Sequence, residues 1–156
     1  MIEGLGPMSA TGIRRPMRSL RIAASGLTAQ RTRLDVIAEN VANAETTRGV
    51  DGTAYRRKTV ELREVGSRLP MLGPRSANVE DDRGGVVVAG IVEDPTEGRM
   101  VYDPGHPDAD EAGYVVMPNV SITEEMVGMM EARRLFEANA SVFQAIKSML
   151  HRATQL

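Results

Sequence analysis

The chain has 156 residues, 42% hydrophobic but only 3% aromatic, with no Trp, no Cys and a net charge of −2. One ordinary domain is the prior for that length. The near-neutral charge argues against nucleic acid or an anionic membrane surface as partner, and the lack of Cys excludes disulfides and thiol catalysis.

Residues 1–16 contain three Gly and two Pro and read as a flexible lead. They carry Arg but no continuous apolar core, so they are not a cleavable secretory signal. Residues 17–46 read as a helix. Leu20, Leu27, Leu34 and Val41 recur every seven residues, which places them on one helical face. Pro16 suits a first helical turn, where its missing N–H is harmless. Gly26 costs about 1 kcal/mol relative to Ala in a helix. Its neighbours Ala23, Ala24 and Ala29 point to close approach by another helix, with a merely tolerated exposed Gly as the alternative. Asn40 and Asn43 lie near the end of this helix. A buried Asn can fix register through a hydrogen bond; a helix-ending role for Asn43 and Thr46 is the competing reading.

Residues 47–119 lose the helical pattern. Asp51-Gly52 is a turn signal. Tyr55–Val65, Val86–Val92, Arg99–Tyr102 and Tyr114–Met117 read as short strands separated by Gly/Pro turns, with Leu69–Asn78 as a loop. They form a small β-rich module. Residues 120–156 read as a second long helix, opened by Ser121 and Glu124 as a capping box. Here Ile122, Met129, Phe136, Phe143 and Leu150 form one seven-residue row, and Leu135, Val142, Met149 and Leu156 form another. About 35 residues at 1.5 Å each give a rod of roughly 50 Å.

The expected fold is therefore α+β: long terminal helices pairing in a coiled-coil-like bundle around an inserted β-rich module. Two adjacent apolar rows exceed what one partner helix covers, and a lone hairpin would expose the surplus. Further helices from other subunits would cover it; the β module folding back is the alternative. Met126, Met129, Leu135, Phe136, Asn139, Val142, Phe143, Met149 and Leu150, with Leu20, Leu27, Leu34, Val41, Asn40 and Asn43, are the expected subunit-interface residues. Charge is also uneven. Residues 1–35 hold six Arg and two acids, and residues 80–111 hold ten acids and two Arg. Head-to-tail contact between subunits and separately solvated faces both fit that distribution.

No catalytic, cofactor or metal site is expected. Asp108-Ala-Asp110 opens like a calcium loop, but Ala112 and Asn119 occupy ligand positions that require Asp or Asn and Glu. His106 and His151 have no partner at ligand spacing. Glu124 and Glu125 are adjacent, so their side chains diverge on a helix and make no acid–base pair. No apolar run approaches the ~20 residues of a membrane span.

Four blocks resemble the flagellar basal-body rod family. They are Ala24-Ser-Gly-Leu-Thr-Ala-Gln30 with Asn40-Val-Ala-Asn-Ala-Glu-Thr46; Asp51-Gly-Thr-Ala-Tyr-Arg56; Tyr102-Asp-Pro-Gly-His-Pro-Asp-Ala-Asp110 through Gly113-Tyr-Val-Val-Met-Pro-Asn-Val120; and Glu124-Glu-Met-Val127 followed by Ala132-Arg-Arg, Glu137-Ala-Asn139 and Lys147-Ser-Met149. Phe136 stands where the family tends to have Tyr. The resemblance implies a non-enzymatic axial protein, exported by the flagellar type III apparatus without signal cleavage. It implies partners as well: copies of itself, other rod subunits, the rod–membrane-ring junction protein and the surrounding ring bushing, with no nucleic acid and no membrane insertion. A self-contained cytosolic coiled-coil adaptor is the rival class, and it predicts a stable helical dimer.

Overall fold

The structure, a computed structural model, describes residues 10–49, 51–65, 84–153 and 155. The loop expected at Leu69–Asn78 and the acids at 80–82 lie outside them, as does Leu156. The elements run α1 (Ala10–Ala42), β1 (Lys58–Glu64), β2 (Val86–Glu93), β3 (Met100–Tyr102), β4 (Tyr114–Val116) and α2 (Ile122–Ala153). This is the α+β arrangement anticipated from the hydropathy pattern.

One boundary needs correction. The helix begins at Ala10, inside the stretch read as a flexible lead, and Pro16 lies within it rather than in its first turn. Proline fixes φ near the helical value, but inside a helix it removes one backbone hydrogen bond and its ring crowds the carbonyl one turn back. The other end is close to expectation. The chain turns at Asn43–Glu45, where the Asn43 Nδ2 donates back to the Glu39 carbonyl at 2.9 Å and the Thr46 hydroxyl donates to Asn43 Oδ1 at 3.2 Å. Asn43 thus takes the helix-ending role. The Asp51-Gly52 turn follows, with Gly52 at φ +76, a conformation that side chains disfavour.

The four strands form two separate antiparallel pairs, β1–β2 and β3–β4. A bulge interrupts the first pair: Glu61 faces Gly90 and Leu62 faces Val88, leaving Ala89 as the extra residue. In β2, Val86, Val88 and Gly90 are half-buried while Val87, Ala89 and Ile91 are exposed, the alternation of a strand covered on one face. In the second pair Val115 is buried, and Tyr102 and Tyr114 meet edge to face at 5.2 Å between ring centroids.

α1 is central. α2 packs along one side of it, and the β1–β2 pair lies along another. Its buried positions, Ala23, Ala29, Gln30, Val36, Ile37 and Asn40, are mostly small or slender, so its neighbours come close. Gly26 shows this best: a Cβ there would stand 2.8 Å from Asn139 Nδ2 of α2. The close-approach reading of Gly26 is therefore correct. Gly26→Leu is expected to wedge the helices apart and lower stability by about 1–3 kcal/mol, despite leucine's better helix propensity. A thermal melt followed by circular dichroism measures it.

Ser121 caps the start of α2: its Oγ accepts the Glu124 N–H at 3.5 Å and its carbonyl accepts the Glu125 N–H at 2.9 Å. Glu124 and Glu125 stand at its positive end, His151 and Arg152 at its negative end. No helix among the described residues is long and apolar enough to cross a membrane.

Candidate functional site

The most structured polar site joins both helices to the β1–β2 pair. Asn40 on α1 and Glu125 on α2 are each only 1% exposed. An amide offers two donors and two acceptor positions, and Asn40 uses all four. Its Nδ2 donates to the Lys58 carbonyl at 2.9 Å and to Glu125 Oε2 at 3.1 Å. Its Oδ1 accepts the Lys58 N–H and the Tyr55 hydroxyl, both at 2.9 Å. Arg57 closes the arrangement, its Nε donating to Glu125 Oε1 at 2.6 Å. The buried carboxylate is thus paired with a cation and bonded on both oxygens, as a buried charge requires.

Asn119, three residues before α2 begins, extends this joint. Its Oδ1 accepts the Arg57 N–H at 2.7 Å, and its Nδ2 donates to the carbonyls of Thr96 at 2.9 Å and Asp94 at 3.3 Å. Asp94 N–H bonds the Arg57 carbonyl directly at 2.7 Å. The Asn119 amide therefore stands in for a peptide group at the open end of the β1–β2 ladder.

The surrounding charges reinforce the contact. Lys58 Nζ donates to Glu39 Oε1 at 2.6 Å, a bond that raises the lysine pKa above its ordinary value. The same ammonium lies 5.6 Å from the centre of the Tyr55 ring. Burial, followed by the Glu39 charge, pushes the Tyr55 hydroxyl's pKa up, so it remains a proton donor to Asn40. Farther out, the Thr47 hydroxyl bonds Asp108 at 2.8 Å with Arg48 at 3.4 Å, and the bond from Thr47 leads in holding that carboxyl below its usual range.

The expected interface residues separate into distinct environments. Asn40 is buried in the joint, and Asn139 lies against Gly26. Met129, Phe136, Phe143 and Leu150 are half-buried on the face of α2 that carries the buried Ala132 and Ile146, turned toward α1. Leu20, Leu27, Leu34 and Val41 are half-buried on α1. By contrast Leu135, Val142 and Met149 form an exposed strip beside the seam. Met126 is exposed with Val127 and Met130 in a second cluster, on another side of the same helix. Glu125, Arg57 and Asn119 were not anticipated as joint residues. The only sequence signal was their place inside or beside the recognised blocks.

Those blocks, dispersed over the sequence, meet in space: Asn40, Tyr55, Asn119 and Glu125 come one from each. The chain is also similar to known proteins. A family model described as "Flagella basal body rod protein" matches residues 20–48, and one described as "Flagellar basal body rod FlgEFG protein C-terminal" matches residues 111–156. Proteins named flagellar basal-body rod protein FlgC are similar along most of their length. The Borreliella burgdorferi protein is 42% identical, covering 86% of this chain and 93% of its own. The Bacillus subtilis protein is 41% identical, with 88% and 95% covered. The Escherichia coli protein is 43% identical, with 83% and 88% covered.

The chain belongs to the FlgC family of flagellar basal-body rod proteins. It is a structural subunit of the basal-body rod. One family model falls on most of α1 and the turn after it, the other on β4 and α2, while the FlgC relatives extend through the strands between them.

Proposed function

We propose that this rod subunit polymerises with copies of itself and with other rod subunits into a hollow shaft, which crosses the periplasm and carries torque from the motor to the hook. One observation carries the proposal: α2 leaves two apolar patches uncovered, Leu135–Val142–Met149 and Met126–Val127–Met130. Among the described residues the β1–β2 pair lies on α1 rather than folding over these patches, which supports their being covered by other chains. Two patches on different sides of one helix call for neighbours from two directions. A contact that does not close on itself then builds a helical shaft instead of a ring.

In this reading residues 17–46 and 120–156 line the inner tube, and residues 47–119 form the outer module. The joint at Asn40 and Glu125 keeps that module from swivelling on the helices. The subunit is exported by the flagellar type III apparatus without loss of a signal. It meets the rod–membrane-ring junction protein at the shaft's base and the ring bushing around it, and it performs no catalysis.

Deleting the gene from a motile host tests the proposal. Basal bodies purified from the deletion strain are expected to stop at the membrane ring, without rod or hook, and re-expression is expected to restore both. Complete rods in the deletion strain would refute it.

A further inference from the structure

We propose that Met126, Met130 and Met149 form an oxidation site of the unassembled subunit, and that converting their thioethers to sulfoxides blocks assembly. The consequence for assembly rests on the polymerisation reading above; the chemistry at the sulfurs does not.

Three observations converge. The three side chains are 57%, 64% and 56% exposed, so an oxidant in solution reaches each sulfur. Met117 and Met129, in contrast, are half-buried. Both uncovered apolar patches contain them, Met126 and Met130 in one and Met149 in the other. The chain has no Cys, so no thiol of its own competes for the oxidant.

The reaction balances with a peroxide as the named oxidant. A sulfur lone pair attacks one peroxide oxygen, the O–O bond breaks and an S–O bond forms. The sulfur loses two electrons, and the peroxide is reduced to water. An adaptable apolar side chain becomes a polar one with a strong S–O dipole. Burying that dipole against an apolar neighbour without a hydrogen bond weakens association by about tenfold per sulfoxide. In the finished shaft the same sulfurs are covered, so susceptibility belongs to the free subunit and is lost on incorporation.

The test treats the purified full chain with hydrogen peroxide, maps sulfoxides by peptide mass spectrometry, and measures self-association by sedimentation velocity before and after. The expected result is sulfoxide at Met126, Met130 and Met149, with association weakened by at least tenfold. A methionine sulfoxide reductase pair with dithiothreitol is expected to restore it. The ratio of association before and after treatment is expected to approach one in a Met126→Leu, Met130→Leu, Met149→Leu variant, whatever its untreated value. Met100, equally open on β3 but outside both patches, is the control: Met100→Leu is expected to leave the ratio as in the wild type. The proposal is overturned if the three methionines stay unmodified while Met100 is oxidised, or if the oxidised chain associates as well as before. An untreated chain that stays monomeric at high concentration, both alone and mixed with the other rod subunits, overturns the assembly reading and the proposed consequence with it. The mass map still decides the oxidation site itself.

Discussion

Replacing Leu135 and Val142 by Asp is expected to abolish rod assembly while leaving the subunit's own melting transition almost unchanged. Both side chains are exposed in the single chain, and exposed substitutions usually alter stability by no more than about 0.5 kcal/mol. At a subunit contact the arithmetic differs. Each position loses roughly 2 kcal/mol of apolar burial, and each introduces a carboxylate that must be desolvated. With every 1.4 kcal/mol worth tenfold, the pair weakens association by at least about a thousandfold. Counting hook–basal bodies by electron microscopy reads the first effect, and a circular dichroism melt of the purified variant reads the second. The counterpart Phe143→Asp with Leu150→Asp acts elsewhere, because those residues turn toward α1; it is expected to lower the melting transition itself. A normal number of rods from the Leu135/Val142 variant would remove the strip from the interface.

Asn40→Ala is the substitution expected to cost the fold most. It strands the Lys58 N–H and carbonyl, the Tyr55 hydroxyl and Glu125 Oε2 together. A buried polar group left unpaired costs about 1–3 kcal/mol. Even with water reaching some of them, a loss of about 3 kcal/mol is expected, a large share of a domain's typical 5–15 kcal/mol. Urea unfolding measures it. Asn40→Asp separates hydrogen bonding from size. An oxygen in the Nδ2 position faces two acceptors, Glu125 Oε2 and the Lys58 carbonyl, so only a protonated carboxyl fits. Its folded-state pKa is thereby raised above the unfolded value of about 3.9. The folded state then holds a proton that the unfolded state has released, and the variant loses stability as pH rises above about 4. Its deficit against the wild type is expected to be largest at neutral pH and to shrink on acidification. A deficit independent of pH would contradict the donor assignment at Asn40.

Much of this architecture is legible in the residue pattern. Seven-residue spacing exposes both helices, the β-branched runs locate the four strands, and the small residues around Gly26 signal the close helix crossing. The start of α1 is not legible, because glycine and proline are the least favourable residues inside a helix and a segment bearing them reads as a lead. Nor does periodicity separate the two rows of α2. Phe136–Phe143–Leu150 and Leu135–Val142–Met149 are equally apolar and equally regular, and only the position of α1 determines which the chain covers for itself. The joint is the least legible part. Asn40 and Glu125 lie 85 residues apart, and a buried Glu is indistinguishable in sequence from the many solvated ones around it. Strand pairing is hidden for the same reason, since nothing local tells β2 to pair with β1 while β3 waits for β4.

The way the Asn40 amide grips both backbone groups of Lys58 has an implication for solubility. The first residue of a bare β-strand offers a free N–H and a free carbonyl to any extended peptide that drifts past, which is how ordered aggregates are seeded. Here that template is already occupied by a side chain of the same molecule. Subunits crowded together before incorporation therefore cannot zip through the main chain of Lys58.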